Sequence, residues 1–439
     1  MRHWFKDGVF RAVLRNAGYL GSTKLIGAGL GLIALVCAGR GLDPVLFGVL
    51  TLVHTYATGA GAIVKFQSWQ LILRYGAPAL LRGDERTATD SIRLAVGLDI
   101  SSGIVGMAAA MAVLPFVAAD FGIDRGHLAL AMIYCTLVPT MAAATPTGVL
   151  RLIDGFDLIA GQQLVTPLLR GTGAAIAFFA HLGFPGFVVA WYVADLAGDL
   201  ILWGLAVREL RRRGLLGALR PGLLGTARRL PQAWSFVWTT NIATSLGAGW
   251  GPVSNLVVGG VLGPAAAGLY KIASTLLDSA GKPADLLTKG FYPEIMRLDP
   301  ASRQPWRLGL RTGALAGALG LVIVLLILLG GRPLIGLAFG HKYLAAYPLL
   351  SLMMVALMVS MASFPLQSLL YMVGRQRIAL AAQAAATALF LGLLTVLAHL
   401  FGLEGAGGAY VLGNVALALF MLVPVLASYR HRARYAMAA

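Results

Sequence analysis

The stretch GLGLIALVCAGRGLDPVLFG, residues 29–48, has a counterpart later in the chain, GWGPVSNLVVGGVLGPAAAG, residues 249–268. The two stretches align without a gap, and their identical positions are Gly29/Gly249, Gly31/Gly251, Gly39/Gly259, Leu42/Leu262, Pro44/Pro264 and Gly48/Gly268. In each copy an apolar segment ends in a turn where a proline precedes a glycine by four residues. Because chance rarely supplies the same turn twice, the sequence predicts a chain built from two similar halves.

The composition places this duplicated chain in a membrane. Of 439 residues 58% are hydrophobic and 12% charged, and the mean hydropathy is +0.79, which is too apolar for a soluble globular protein. Apolar runs recur with lengths near the ~20 residues that a helix needs to cross about 30 Å of hydrocarbon. We therefore predict an all-α polytopic membrane protein with about 12 transmembrane helices, six in each half. The predicted spans are 17–39, 45–65, 93–118, 127–149, 157–180, 186–207, 236–261, 265–288, 308–330, 345–372, 378–400 and 405–428.

The distribution of Lys and Arg predicts the orientation of these spans. Most of the 35 basic residues fall in alternate connecting segments, which puts those segments and both termini in the cytoplasm. The formal net charge of +17 then reflects this bias and attraction to anionic membrane lipid, and we expect no nucleic-acid partner. The predicted domains are an N-terminal six-helix bundle (1–207), a basic cytoplasmic linker (208–232) and a C-terminal six-helix bundle (233–439). Parallel repeats of this kind bind ligands near the middle of the membrane.

The segment GLYKIASTLLDSAGKPADLLTKG, residues 268–290, carries unusual charge for a predicted span. On one helix its charged residues would fall within an arc of about 60°; they are Lys271, Asp278, Lys282, Asp285 and Lys289. Charge at the bilayer centre is costly, so this face is predicted to line a cavity or contact a partner. Alternatively, the charges neutralise one another and dock the helix onto a neighbour. Pro283 predicts a kink, because proline removes a backbone hydrogen bond.

A few other polar residues fall within predicted spans. Arg170 and Asp195 lie at similar depth in neighbouring spans, which predicts an ion pair. That pair is as consistent with a structural role as with substrate contact. His54 is a modest candidate for proton transfer, as are Asp278 and Asp285 for binding a coupling ion. Both cysteines fall in apolar runs and are interpreted as small core residues.

Enzymatic motifs are absent from the sequence. It contains no Walker A motif, no metal-binding His/Cys cluster and no long outer loop. We therefore expect neither an enzyme nor a bound cofactor or metal. Transport energy would come from a gradient, with coupling to H⁺ or Na⁺ as one option.

Several motifs together resemble one transporter family. NAGYLGSTKLIGAGLGLIALVCAGRGLDPVLFG resembles the opening of oligosaccharide flippases of the polysaccharide-biosynthesis family, which includes O-antigen flippases of lipopolysaccharide. The second half is similar in order and spacing over VLGPAAAGLYKIASTL, GFYPEIMRL, AFGHKYLAAYPLL, MVGRQR and FGLEGAGGAYVLGNV. This family belongs to the multidrug/oligosaccharidyl-lipid/polysaccharide exporter superfamily.

The resemblance implies a fold and an activity. It implies two six-helix bundles in a V shape that move a polyprenyl-pyrophosphate-linked oligosaccharide across the bacterial cytoplasmic (inner) membrane by alternating access. It also implies a charged cavity lined by early helices of each bundle, and a polysaccharide polymerase or export protein as a possible partner. By the helical-face argument, Lys271 and Lys282 are predicted to offset substrate charge, with Asp278 and Asp285 as their counter-charges.

Two other functions remain open at this point. An ion-coupled multidrug exporter of the same superfamily would share the architecture but would prefer an acidic, aromatic cavity. A membrane-embedded glycosyl-transferring enzyme is a further alternative, although the short outer loops argue against it.

Overall fold

The computed structural model describes residues 8–431, apart from the side chains at 8–22, 24–25, 243, 283–286, 289 and 293. Within this part of the chain there are helices, turns and bends but no strand, which confirms the all-α prediction. The helices of the first part are α1 (Gly8–Gly41), α2 (Pro44–Val64), α3 (Ser68–Leu71), α4 (Ala77–Leu81), α5 (Glu85–Val117), α6 (Leu128–Cys135), α7 (Val138–Ala142), α8 (Thr145–Leu152), α9 (Phe156–Gln162), α10 (Val165–Phe179) and α11 (Gly183–Arg212). Those of the second part are α12 (Leu224–Ala227), α13 (Ala233–Ala248), α14 (Ser254–Leu262), α15 (Pro264–Ala280), α16 (Lys282–Ile295), α17 (Gln304–Phe339), α18 (Ala346–Ser363), α19 (Pro365–Met372) and α20 (Gln376–Arg430).

The repeated turn starts a helix in both halves but uses different chemistry. In the first copy the Asp43 carboxylate accepts hydrogen bonds from the amides of Val45 and Leu46 at 2.9 and 3.0 Å, which caps α2. In the second copy Gly263 adopts φ 87°, a conformation that favours glycine, and ends α14. A proline is the first residue of the following helix in both copies, where its missing N–H costs nothing.

The chain divides into two compact units. Unit 1 contains the chain up to Leu46 together with Val53–Ala119 and Ile123–Ala248, and unit 2 contains Phe47–Leu52, Asp120–Gly122 and everything from Gly249. Helix α2 therefore contributes residues to both units. The predicted domain limits at 207, 232 and 233 differ from this division and stay a prediction.

The segment after α11, which belongs to unit 1, packs against other helices of that unit. Arg229 forms an ion pair with the buried Asp90 at 3.2 Å, and the Gly222 amide donates to the Arg93 carbonyl at 3.0 Å. The Tyr75 hydroxyl donates to the Pro231 carbonyl at 2.5 Å. These bonds fix much of the predicted basic linker, 208–232, against α5 and its neighbours.

Six helical segments among the described residues are long and apolar enough to cross a membrane. They are Pro44–Leu81, Glu85–Val117, Gly183–Arg212, Gln304–Phe339, Ala346–Met372 and Gln376–Arg430, and the bent pair Arg125–Cys135 and Val138–Leu152 makes a possible seventh. Of the other predicted spans, 17–39 lies within α1, and the rest coincide with shorter or interrupted helices. The total of about 12 spans and the cytoplasmic position of the termini stay predictions.

The breaks in these helices have identifiable causes. Between α7 and α8 the amides of Ala144 and Thr145 donate to the buried Asp99 carboxylate at 2.7 and 2.6 Å, so a side chain from α5 caps α8. Gly402, with φ 62° and ψ −141°, separates two helical parts of α20 at the boundary predicted between 400 and 405. Helix α15 ends at Ala280 and α16 begins at Lys282, so the helix is interrupted at Gly281, and the kink predicted at Pro283 stays a prediction.

Candidate functional site

Unit 1 contains a cluster of three polar side chains from three helices, which we call the unit 1 cluster: His54 on α2, Arg170 on α10 and Asp195 on α11. His54 Nε2 lies 3.1 Å from Asp195 Oδ2, and Arg170 forms an ion pair with Asp195 Oδ1. His54 Nε2 is also 3.4 Å from Arg170 Nη2. The predicted Arg170–Asp195 pair is thus confirmed as a contact, and its role stays a prediction.

The surroundings of the unit 1 cluster are aromatic and largely closed. His54 and Asp195 are each 7% exposed. The Trp191 ring lies edge-on to His54 at 5.1 Å between centroids and 5.3 Å from the Arg170 guanidinium carbon. The Tyr134 hydroxyl donates to the Val188 carbonyl at 2.8 Å. A single charge in such a place would be strongly unfavourable, and the opposite charges of Arg170 and Asp195 compensate each other.

One half-buried acid beside the cluster was not among the predicted site residues. Asp199 follows Asp195 by one helical turn on α11, and its Oδ2 is buried without a hydrogen-bond partner. The ammonium group of Lys65 donates to the Met141 carbonyl at 3.0 Å, and its charge also acts on the Asp199 carboxylate. Trp191, Asp195 and Asp199 are spaced four residues apart. That spacing was the sequence signal for one functional face of α11.

The predicted charged segment lies in unit 2 and is divided between two helices. Lys271 and Asp278 belong to α15, Lys282 is the first residue of α16, and Gly281 separates them. Gly281 itself keeps a helical conformation (φ −76°, ψ −14°), so Asp278 and Lys282, four residues apart, stay on the same side of the chain. The side chains of Asp285 and Lys289 lie outside the described residues.

Asp278 and Lys282 line a polar recess of about 190 Å³. The other lining residues are Leu277, Gly281, Leu357, Ser360, Tyr410 and Asn414. A carboxylate, an ammonium, two hydroxyl groups and an amide thus face one small volume, which offers both donors and acceptors. Lys271, two turns earlier on α15 and half-buried, is not among the lining residues.

An aromatic group supports one wall of this recess. The Trp250 and Phe390 rings stack at 4.4 Å and 10°, and both meet the Tyr410 ring edge-on at 5.6 and 5.5 Å. Asn414 Nδ2 donates to the Tyr410 carbonyl at 2.9 Å. These contacts hold Tyr410 and Asn414 in fixed positions toward Asp278 and Lys282.

The part of the chain that the structure describes has no group of three or more His, Cys, Asp and Glu suited to a metal ion. Cys37 and Cys135 are free thiols in apolar surroundings. The chemistry available in both units is therefore reversible ion pairing and hydrogen bonding.

A comparison with known proteins identifies a relative with extensive similarity. No family model matches the chain. Over 350 residues the chain is 49% identical to the inner membrane protein YghQ of Escherichia coli (strain K12). The aligned region covers 80% of this chain and 99% of YghQ. The chain belongs to the YghQ family. With its apolar helices, this membership makes it a multi-pass inner membrane protein.

Solved structures reveal the fold of this YghQ-family chain. An inward-facing multidrug resistance MATE family transporter of the MOP superfamily matches with a TM-score of 0.64 at 15% identity, over 96% of both chains. The lipid II flippase MurJ in an inward closed conformation matches with a TM-score of 0.62 at 11% identity, over 94% of this chain and 89% of MurJ. At these identities the likeness establishes the fold alone, which is the fold of these two transporters.

Proposed function

We propose that the protein is a flippase that moves a polyprenyl-pyrophosphate-linked oligosaccharide from the cytoplasmic to the periplasmic leaflet for surface polysaccharide assembly. The observation that carries this proposal is the recess at the α15–α16 break, where Lys282 lies among hydroxyl, amide and carboxylate groups. An ammonium group suits a phosphate, and the remaining groups suit sugar hydroxyls. The lipid II flippase MurJ, with the same fold, supports a lipid-linked cargo.

The charges on α15 and α16 would act in pairs during transport. Lys282, with Lys271 nearby on α15, offsets the negative charge of the pyrophosphate, and Asp278 and Asp285 balance these lysines when substrate is absent. Substrate binding thus exchanges one set of counter-charges for another and avoids leaving a lysine unpaired in a low-dielectric region. Alternating access then requires only that the exchange favour one conformation over the other.

The unit 1 cluster is suited to coupling with H⁺ or Na⁺. The Asp195 carboxylate contacts both His54 and Arg170, so a proton or sodium ion that binds there competes with Arg170. Asp199 lies one turn away with an unpartnered carboxylate oxygen, which can accept the same ion. Energy from an ion gradient would be converted at this cluster into a changed pairing of Arg170.

A second function, ion-coupled multidrug export, is favoured by one observation. The unit 1 cluster and the neighbouring Asp199 together supply two carboxylates beside the Trp191 and Tyr134 rings, and acidic, aromatic surroundings bind cationic amphiphiles. The MATE transporter with the same fold is consistent with this alternative. A glycosyl-transferring enzyme finds no comparable support in either unit.

A strain that lacks the gene tests the proposal against this alternative. We would measure surface polysaccharide and, in the same cells, lipid-linked oligosaccharide by mass spectrometry. Loss of surface glycan with accumulation of complete repeat units on lipid is the expected result. Unchanged surface glycan together with new sensitivity to cationic drugs would contradict the flippase proposal and support multidrug export.

Substitution of Lys282 by alanine is expected to lower the rate of glycan export about tenfold, since a charge-assisted hydrogen bond contributes roughly 1.5–3 kcal/mol. Lys282→Arg keeps the charge and should retain more of the activity. Export is measured by complementation of the deletion strain, and a fluorescent fusion reports membrane insertion. Full export by Lys282→Ala at equal protein level would show that Lys282 does not belong to the substrate site.

A further inference from the structure

Unit 2 also contains an apolar groove of about 830 Å³ that the proposed transport cycle has not used. It is formed by α17, α18, α19 and the end of α20, with residues such as Leu310, Ala314, Ala318, Met358, Leu366 and Leu422 in its wall. These helices belong to the segments that are apolar enough to cross a membrane. We call this cavity the α17 groove.

The α17 groove runs along most of one membrane-spanning helix. Its lining on α17 extends from Trp306 to Leu321, which at 1.5 Å per residue corresponds to about 22 Å, most of the ~30 Å hydrocarbon thickness. A hydrocarbon chain that lies along α17 would therefore meet apolar side chains over most of the membrane thickness.

The α17 groove follows from the packing of α17. A Cβ at Gly313 would lie 2.7 Å from the Ala362 carbonyl oxygen, so glycine lets α17 approach α18 closely there. The neighbouring Ala314 and Ala318 are exposed and small, and they leave open the space beside this contact. The groove is therefore a consequence of tight packing on one side and short side chains on the other.

One end of the α17 groove is cationic. Arg307 lines it at the cytoplasmic end predicted from the sequence, next to Trp306 and Tyr429, whose rings lie 5.6 Å apart. Among the described residues Arg307 forms no ion pair with an acidic side chain. Aromatic rings beside an arginine are typical of the depth at which lipid headgroups lie. Apart from Ser363, the lining beyond this end is apolar.

A ligand that complements the α17 groove has an extended hydrocarbon part and a phosphate at one end. We infer that the groove binds the isoprenoid chain of the polyprenyl carrier, with the carrier phosphate beside Arg307. This inference rests on the proposed function, because that function supplies the carrier as the lipid. The groove would hold the apolar part of the substrate while the sugar occupies polar surroundings elsewhere.

Two pairs of matched variants on α17 test this inference. Ala314→Trp fills the groove, and Leu315→Trp, with 72% of the native side chain exposed but outside the groove lining, is its control. Arg307→Ala removes the charged end, and Arg311→Ala, one turn further and outside the lining, is its control. The full-length protein is placed in nanodiscs, and bound undecaprenyl phosphate and phosphatidylglycerol are measured by native mass spectrometry.

We expect Ala314→Trp and Arg307→Ala to lower the bound fraction of undecaprenyl phosphate at least tenfold, and the controls to bind as the native chain does. Equal binding by all variants overturns the groove assignment alone. An equal loss of phosphatidylglycerol also overturns it, because the groove would then be a general phospholipid site. Loss of a dimer in Ala314→Trp would identify a second copy of the chain as the occupant. Failure of the native chain to bind the carrier would overturn the proposed function as well.

Discussion

Replacing Asp195 with alanine is expected to lower the free energy of unfolding by about 3–5 kcal/mol, the usual loss when one partner of a buried ion pair is removed. Arg170 would keep its charge in the surroundings that Trp191 and Tyr134 create, and His54 would lose its carboxylate partner. Thermal unfolding of the purified protein in detergent measures this loss. Asp157→Ala, an acid on α9 without an ion pair in the described part of the chain, is the control and should change the free energy by less than about 0.5 kcal/mol.

A double variant separates stability from transport. Arg170→Met combined with Asp195→Leu removes both charges, and we expect it to recover most of the stability that Asp195→Ala loses, because no unpaired charge remains. If the unit 1 cluster couples an ion to transport, the double variant will fold but will not complement the deletion strain. Full complementation by a stable double variant would make the cluster purely structural.

Replacing Gly48 with alanine is expected to cost more than about 3 kcal/mol, at the upper limit of overpacking losses. A Cβ at this position would lie 1.8 Å from the carbonyl oxygen of Pro264 and 2.3 Å from its carbonyl carbon. Because both are backbone atoms at the start of α15, they cannot move aside as the end of a side chain could. The yield of folded protein in the membrane and its unfolding temperature in detergent measure the effect.

Gly29→Ala is the matched control for Gly48→Ala. Gly29 lies in the same repeated stretch, and a Cβ there would meet nothing within 4 Å. We expect this variant to be at least as stable as the native chain, since alanine favours the helix by about 1 kcal/mol over glycine. Native stability of Gly48→Ala would mean that α2 and α15 are further apart than the structure places them.

The sequence predicted features that depend on local pattern. Long apolar runs identified the helices, and the Leu-x-Pro turn located the start of α2 and of α15. The Arg170–Asp195 pair could be predicted because two opposite charges in neighbouring apolar spans have few other ways to be stabilised. These predictions needed only hydropathy, turn chemistry and the cost of buried charge.

Features that depend on tertiary contacts could not be predicted in this way. His54 on α2 is far in sequence from the pair that it joins, and no periodicity links it to them. The helix break at Gly281 precedes the proline that suggested it, and the recess that Asp278 and Lys282 share includes side chains from α18 and α20. The α17 groove arises from the close approach of α17 and α18, which a one-dimensional pattern does not contain.

The turn that defines the repeat also brings its two copies together. A Cβ on Gly268 would lie 3.4 Å from the Cα of Gly48, so equivalent positions of the two halves touch each other. In a symmetric dimer of two such halves the same residue would meet its own copy, and a single mutation would alter both sides at once. In the single chain each position can be substituted separately, provided that the residue at the other position stays small. We therefore expect sequences of YghQ relatives to have small residues at both positions. A larger residue at one position is expected only where the helix that carries the other position lies further away.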